Sequence, residues 1–200
     1  QDKIVFGVRI SNINLGGKST KEAKEILSKE INQLSKKEII FKVKKDIIAN
    51  IHSEKKQEEE IETKYSDSIK VKNLGIKYNL EDDIKKAFFV AKNKGFFGNV
   101  ADKFLALFGK KNIELSIKIN NNHLDKLLNE NFGQFETLPQ NAQVYFDEDE
   151  ESFKVKKSKD GRSFSREKIK NKIEKNLKFF QIENICLLLK NAPGDQKNAS

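Results

Sequence analysis

The stretch Ile113-Glu114-Leu115-Ser116-Ile117-Lys118-Ile119, with Leu124, Leu127, Leu128 and Phe132 after it, decides how this chain folds. Apolar and polar residues alternate strictly over 113–119, the period of a strand with one buried face. Past Asn120, Asn121 and Asn122 the period changes, and the next four apolar residues fall on one helical stripe. Read outward from here, the same hand-over from strand to helix recurs along the chain. It predicts an α+β fold of mixed or antiparallel sheets, built from β-hairpins and packed with about five helices.

Upstream, residues 4–15 alternate around Gly7 and read as extended segments. Ser19 with Glu22 three residues later is a capping box that opens a helix with Ala23, Ile26, Leu27, Ile31 and Leu34 on one face. Residues 38–52 carry strand-type apolar residues, and the charged run 54–64 reads as a solvated hairpin tip or loop. Ile69, Val71 and Leu74-Gly75-Ile76 resume a strand, and Asn79 caps a second helix bearing Ile84, Ala87, Phe88 and Ala91. Gly95 and Gly98 precede a third helix with Val100, Phe104, Leu107 and Phe108, so residues 87–108 read as a helical hairpin in the core.

Downstream, Val144-Tyr145-Phe146 and Phe153 with Val155 form a hairpin around the acidic turn 147–151. That turn lacks the Gly and spaced Glu of a calcium loop. Ser165 opens the last helix, with Ile169, Ile173 and Leu177, and residues 182–189 close as a buried strand. Three sets, Gly16-Thr20-Glu22, Gly75-Asn79-Glu81 and Gly161-Ser165-Glu167, place a glycine turn before a helix start. They read as recurring capping chemistry or as a repeated β-β-α unit. The expected organisation is an N-terminal α+β subdomain over 1–110, a C-terminal one over 111–190, and a polar tail or linker over 191–200.

Lys and Arg number 39 against 30 Asp and Glu, a net charge of +9, yet only Arg9, Arg162 and Arg166 are arginines. The basic balance suits an anionic partner. The shortage of arginine, the residue that grips phosphate and guanine bidentately, argues against nucleic acid. No apolar run exceeds five residues, whereas a membrane span needs about 20. The chain starts Gln1-Asp2 and has no Met, which reads as a mature or excised piece whose membrane tether lies elsewhere. One cysteine excludes a disulfide framework.

Catalytic chemistry is hard to assemble from these residues. His52 and His123 have no Ser or Cys nucleophile motif beside them, and Cys186 sits in an apolar run where a thiol is inert. Neither G-x-x-x-x-G-K-[ST] nor G-x-G-x-x-G occurs, and no metal-ligand spacing is present. The expectation is a chain that is not an enzyme and carries no cofactor and no metal.

Gly7-Val8-Arg9-Ile10, Ile13-Asn14-Leu15-Gly16-Gly17-Lys18-Ser19, Leu74-Gly75-Ile76-Lys77-Tyr78, Ala87-Phe88 and Gly161-Arg162, in this order and spacing, resemble a group of Gram-positive cell-wall proteins. These are the VanW-type vancomycin-resistance proteins and the L,D-transpeptidases that carry a peptidoglycan-binding domain before the catalytic one. Two departures stand out: Ala91-Lys92 where that family often has Gly-Arg, and a longer charged insert at 53–64. The resemblance implies a non-catalytic, extracytoplasmic module of the cell envelope, a monomer that binds peptidoglycan or anionic wall polymers and positions an associated domain. The membrane would be reached only through a tether outside this chain. Under that reading Tyr78, Phe96, Phe97 and Arg162 are the candidate ligand-binding residues, although aromatic stripes such as that of Phe96 and Phe97 are usually core. A rigid spacer or protein-interaction domain without glycan affinity is the alternative, and a polyanion or nucleic-acid binder is a third.

Overall fold

The computed structural model describes residues 3–44, 63–90 and 111–192. Among them are four α-helices and twelve short strands in small mixed and antiparallel sheets, the α+β class expected. The chain divides into two compact units, each assembled from three segments. No helix among the described residues is long and apolar enough to cross a membrane.

The first unit comprises residues 1–40, 68–124 and 170–184. Strands β1 (Arg9–Ile10) and β2 (Ile13–Asn14) form a tight hairpin. Its two turn residues, Ser11 and Asn12, have φ of 49° and 71°, the mirror-image turn whose twist suits adjacent strands. Side-chain bonds hold that conformation. The Ser11 hydroxyl donates to the Lys178 carbonyl and accepts from the Leu115 N–H, while Asn12 and Asn112 exchange two bonds of 2.9 and 3.0 Å.

Helix α1 (Thr20–Lys36) carries the capping box as read, with Ser19 and Glu22 satisfying each other's backbone N–H groups. Its stripe buries Ala23, Leu27 and Leu34 and half-buries Ile26 and Ile31. With Ile4, Val8, Ile10 and Leu15, and with Ile84 and Ala87 of α2 (Leu80–Phe89), it closes the core of this unit. Asn79 stands at the start of α2, but its amide donates to Asp82 rather than capping a helical N–H.

Two readings need correction here. Val71–Leu74 is a 3₁₀ turn, not strand, and only Ile76–Tyr78 (β5) is extended after it. Gly75 between them has φ of 67°, and a Cβ there would meet the His123 ring at 2.8 Å. The alternating stretch 113–119 is two strands, β6 (Asn112–Ile113) and β7 (Ile117–Ile119). They serve different sheets: β6 runs parallel to β1, and β7 runs antiparallel to β5.

The cause of that break is the fully buried Asp83 of α2, whose carboxylate accepts the Ser116 N–H and hydroxyl, both at 2.6 Å. Lys86 at 3.1 Å completes the cluster. A strand ladder cannot hold the Ser116 N–H once a carboxylate has taken it.

The second unit comprises residues 41–67, 125–169 and 185–200. Strand β3 (Glu38–Lys44) lies between β4 (Thr63–Lys70) and β11 (Ile185–Leu187), parallel to the latter. Phe41 and Val43 point inward, and an aromatic row follows: Phe41 to Phe132 at 5.6 Å, Phe132 to Tyr65 at 6.1 Å, Tyr65 to Phe135 at 5.2 Å between ring centres. Phe132 ends α3 (Asn121–Phe132), whose Leu124 and Leu128 are buried as its periodicity predicts.

The run 182–189 is not one buried strand. Strand β11 buries Ile185 and Leu187 on one side only, so Cys186 is exposed; Leu188 is exposed as well, and β12 (Leu189–Ala192) pairs instead with β10 (Gly161–Phe164). The third helix expected over 100–108 and the charged tip up to residue 62 lie outside the described residues.

Candidate functional site

The segment that leaves α3 through the 3₁₀ turn Gly133–Phe135 is fastened by two antiparallel bridges. Thr137 exchanges backbone bonds of 2.9 and 2.8 Å with Arg162, and Gln140 exchanges bonds of 2.9 and 2.8 Å with Lys159. Between the bridges the backbone of 137–139 lies directly on Gly161, where a Cβ would stand 2.4 Å from Pro139 N and Thr137 O. Glu136 fixes the start of the segment. Its carboxylate accepts the Phe164 N–H at 2.7 Å and pairs with Arg166, the first residue of α4 (Arg166–Leu177). Arg166 also donates to Asn129 at 2.6 Å and covers the Phe164 ring.

This fastened segment and hairpin β8 (Gln143–Asp147)/β9 (Ser152–Lys156) enclose a cleft of about 640 Å³, lined by Leu138, Pro139, Gln140, Asn141, Gln143 and Lys156. The hairpin register sets Gln143 opposite Lys156 and Tyr145 opposite Lys154. Side chains two apart share a strand face, so Tyr145, 49% exposed, lies on the same face as Gln143.

The lining is informative chemically. Three side-chain amides offer donors and acceptors together, Leu138 is 89% exposed, and Lys156 brings an ammonium that makes no ion pair among the described residues. The lining holds no carboxylate. Such a surface fits a ligand with hydroxyl, acetamide or carboxylate groups and an apolar face.

Nearby charges are ordered. At the hairpin tip Lys154 bonds Asp147 at 2.6 Å and Glu150 at 2.7 Å. The Lys154 ammonium, helped by the Glu150 and Asp149 N–H groups, holds the Asp147 carboxyl below its ordinary value, and the two carboxylates raise Lys154 in turn. On β12 the neighbouring Lys168 ammonium pushes Lys190 down, a mark of crowded positive charge.

Of the residues singled out from sequence, Arg162 sits in β10 as the bridge partner of Thr137, at the base of this cleft wall. Tyr78 belongs to β5 in the other unit. Its ring packs against that core, and its buried hydroxyl has no hydrogen-bond partner among the described residues. Burial pushes this phenol up to about 12. Phe96, Phe97 and His52 lie outside the described residues. His123 is tied to the Asn73 carbonyl at 2.8 Å.

Sequence reading missed Gln140, Asn141, Gln143, Tyr145 and Lys156. A signal was present: the amide-rich run Gln140-Asn141-Ala142-Gln143 after Pro139, with Tyr145 two residues on. A family model described as "Putative peptidoglycan binding domain" matches residues 68–179, which include the whole cleft and its hairpin. No curated protein and no solved structure matches the chain.

Proposed function

The chain belongs to this family of peptidoglycan-binding domains, and from that premise we propose that it is a non-catalytic wall-binding module whose glycan seat is the cleft of Leu138, Gln140, Gln143 and Lys156 with Tyr145. The observation that carries the reading is the amide-lined cleft beside an exposed tyrosine, inside the matched residues. Amide side chains match the hydroxyl and acetamide groups of the sugars. The tyrosine ring offers an apolar face to a pyranose. Lys156 meets a carboxylate of the lactyl group or stem peptide, and the +9 net charge adds attraction to anionic wall polymers. In this reading the module is extracytoplasmic and holds an associated domain, of the VanW or L,D-transpeptidase kind, at the wall.

The test is retention on purified insoluble sacculi, with and without wall polymers, at low and at physiological salt. Retention that survives salt and falls about tenfold, or about 1.4 kcal/mol, in Tyr145→Ala and Gln143→Ala supports the seat. Retention abolished by salt and indifferent to both substitutions would reduce the interaction to charge alone. No retention at either salt would leave the spacer reading.

A further inference from the structure

Hairpin β8/β9 differs sharply between its two faces. One face carries Gln143, Tyr145, Asp147, Lys154 and Lys156; the other carries the cross-strand pairs Val144–Val155 and Phe146–Phe153. These four apolar side chains are 51–76% exposed, with the phenylalanine rings edge to face at 5.2 Å. A two-stranded ribbon is marginal alone, and an apolar sheet face is normally closed by a second sheet about 10 Å away. Nothing among the described residues closes this one.

The charges around the face select its cover. At the tip, Glu148 and Glu151 flank the apolar rows; at the base, Lys157 and Lys159 follow them. None of these four makes an ion pair among the described residues, whereas Asp147 and Glu150 are both taken by Lys154. Acid at one end of an apolar face and base at the other is self-complementary under a two-fold rotation.

We propose that a second copy of this chain covers the face. The two hairpins stack antiparallel, Val144, Phe146, Phe153 and Val155 of each against the same four of the other. Each acidic tip then lies over the partner's lysine-bearing base. The contact is isologous and closes at two. Four side chains a side fall short of a standard interface, so association is weak and concentration-dependent. Stacking leaves both polar faces outward, and a polymer long enough to reach both is held by two clefts at once. That last consequence alone rests on the glycan reading; the dimer does not.

Sedimentation velocity from about 10 µM to about 1 mM tests the pairing. The wild type is expected to shift from monomer to dimer across this range, and Phe153→Asp to remain monomeric. Because Phe153 is exposed, that variant keeps its fold. The double variants Lys157→Glu/Lys159→Glu and Glu148→Lys/Glu151→Lys should each weaken self-association about tenfold at low salt. Their equimolar mixture should restore it, since each tip then meets an opposite base. A monomer throughout the range, or a mixture no stronger than its components, would overturn the proposal. So would a monomeric chain whose Phe153→Asp variant loses sacculus retention, which would give the face to the wall polymer.

Discussion

Substituting Gly161 by alanine should damage the cleft from behind. The added Cβ would stand 2.4 Å from Pro139 N, 2.4 Å from Thr137 O and 2.7 Å from Pro139 Cδ, where ordinary contact begins near 3.4 Å. All three atoms are backbone or proline ring, and none can rotate away. The segment 137–139 must therefore retreat by about 1 Å, an overpacking that costs about 1–3 kcal/mol. The retreat pulls apart the two Thr137–Arg162 bonds of 2.9 and 2.8 Å, each worth about 0.5–1.5 kcal/mol net. Together these give a loss of about 2–6 kcal/mol, or about 2 M in the urea midpoint for a chain of this size. Gly133→Ala is the matched control, since its Cβ would meet only Asn129 Cβ at 3.9 Å; it should stay within about 0.5 kcal/mol. Urea unfolding gives the stability, and the amide signals of Thr137 and Arg162 report the bridge. A Gly161→Ala protein within about 1 kcal/mol of wild type, with both signals unmoved, would refute this account of the cleft wall.

Asp83→Ala should destabilise by about 1–3 kcal/mol, because it strands the part-buried Ser116 N–H, whereas the Lys86 ammonium, 58% exposed, returns to water; denaturant unfolding that moves by under about 0.5 kcal/mol would contradict it. Tyr78→Phe should match or exceed wild-type stability by up to about 1 kcal/mol, since the lost hydroxyl had no partner among the described residues. In the wild type the Tyr78 phenol sits at about 12 against an ordinary 10.0, so stability held below pH 10.0 erodes as pH rises towards 12. A late-titrating tyrosine absorbance that persists in Tyr78→Phe would assign the shift elsewhere. The Asp147 carboxyl is held below its ordinary 3.8, chiefly by Lys154, so the tip is stabilised above that value and loosens only as pH falls through the lowered one. Amide signals of Phe146 and Glu150 whose acid midpoint lies at the ordinary 3.8 would mean that the pair does not form in solution.

Local rules made much of this fold readable. The Ser19–Glu22 box, the α1 stripe, the α3 leucines and the β8/β9 hairpin with its acidic turn depend on residues within a few positions of one another. What escaped depends on distant partners. The strict alternation over 113–119 is interrupted because Asp83, on another helix, takes the Ser116 N–H, and no local pattern records that claim. Cys186 faces outward because β11 has one buried side, which an unbroken apolar run conceals. The hairpin was legible, but the exposure of Val144, Phe146, Phe153 and Val155 was not, since apolar alternation looks the same covered or bare. The cleft stayed hidden for a similar reason: its wall is set by the Gln140–Lys159 and Thr137–Arg162 bridges, which join segments far apart in sequence.

The division into units of three segments each has a consequence for how the protein comes into being. The first unit needs residues 170–184, and the Ser11 hydroxyl reaches its Lys178 partner only when they have emerged. At about 5–20 residues per second, that bond can form only on the order of ten seconds after Ser11 has been made. Nor can the matched segment be lifted out alone. Cutting at 68 and 179 discards Ile4, Val8, Ile10, Leu15, Ala23 and Leu27, six of the nine buried residues in the first unit's core cluster. Recombination or truncation at those borders would therefore deliver an aggregating stump, and inheritance of this module has to carry the N-terminal forty residues with it.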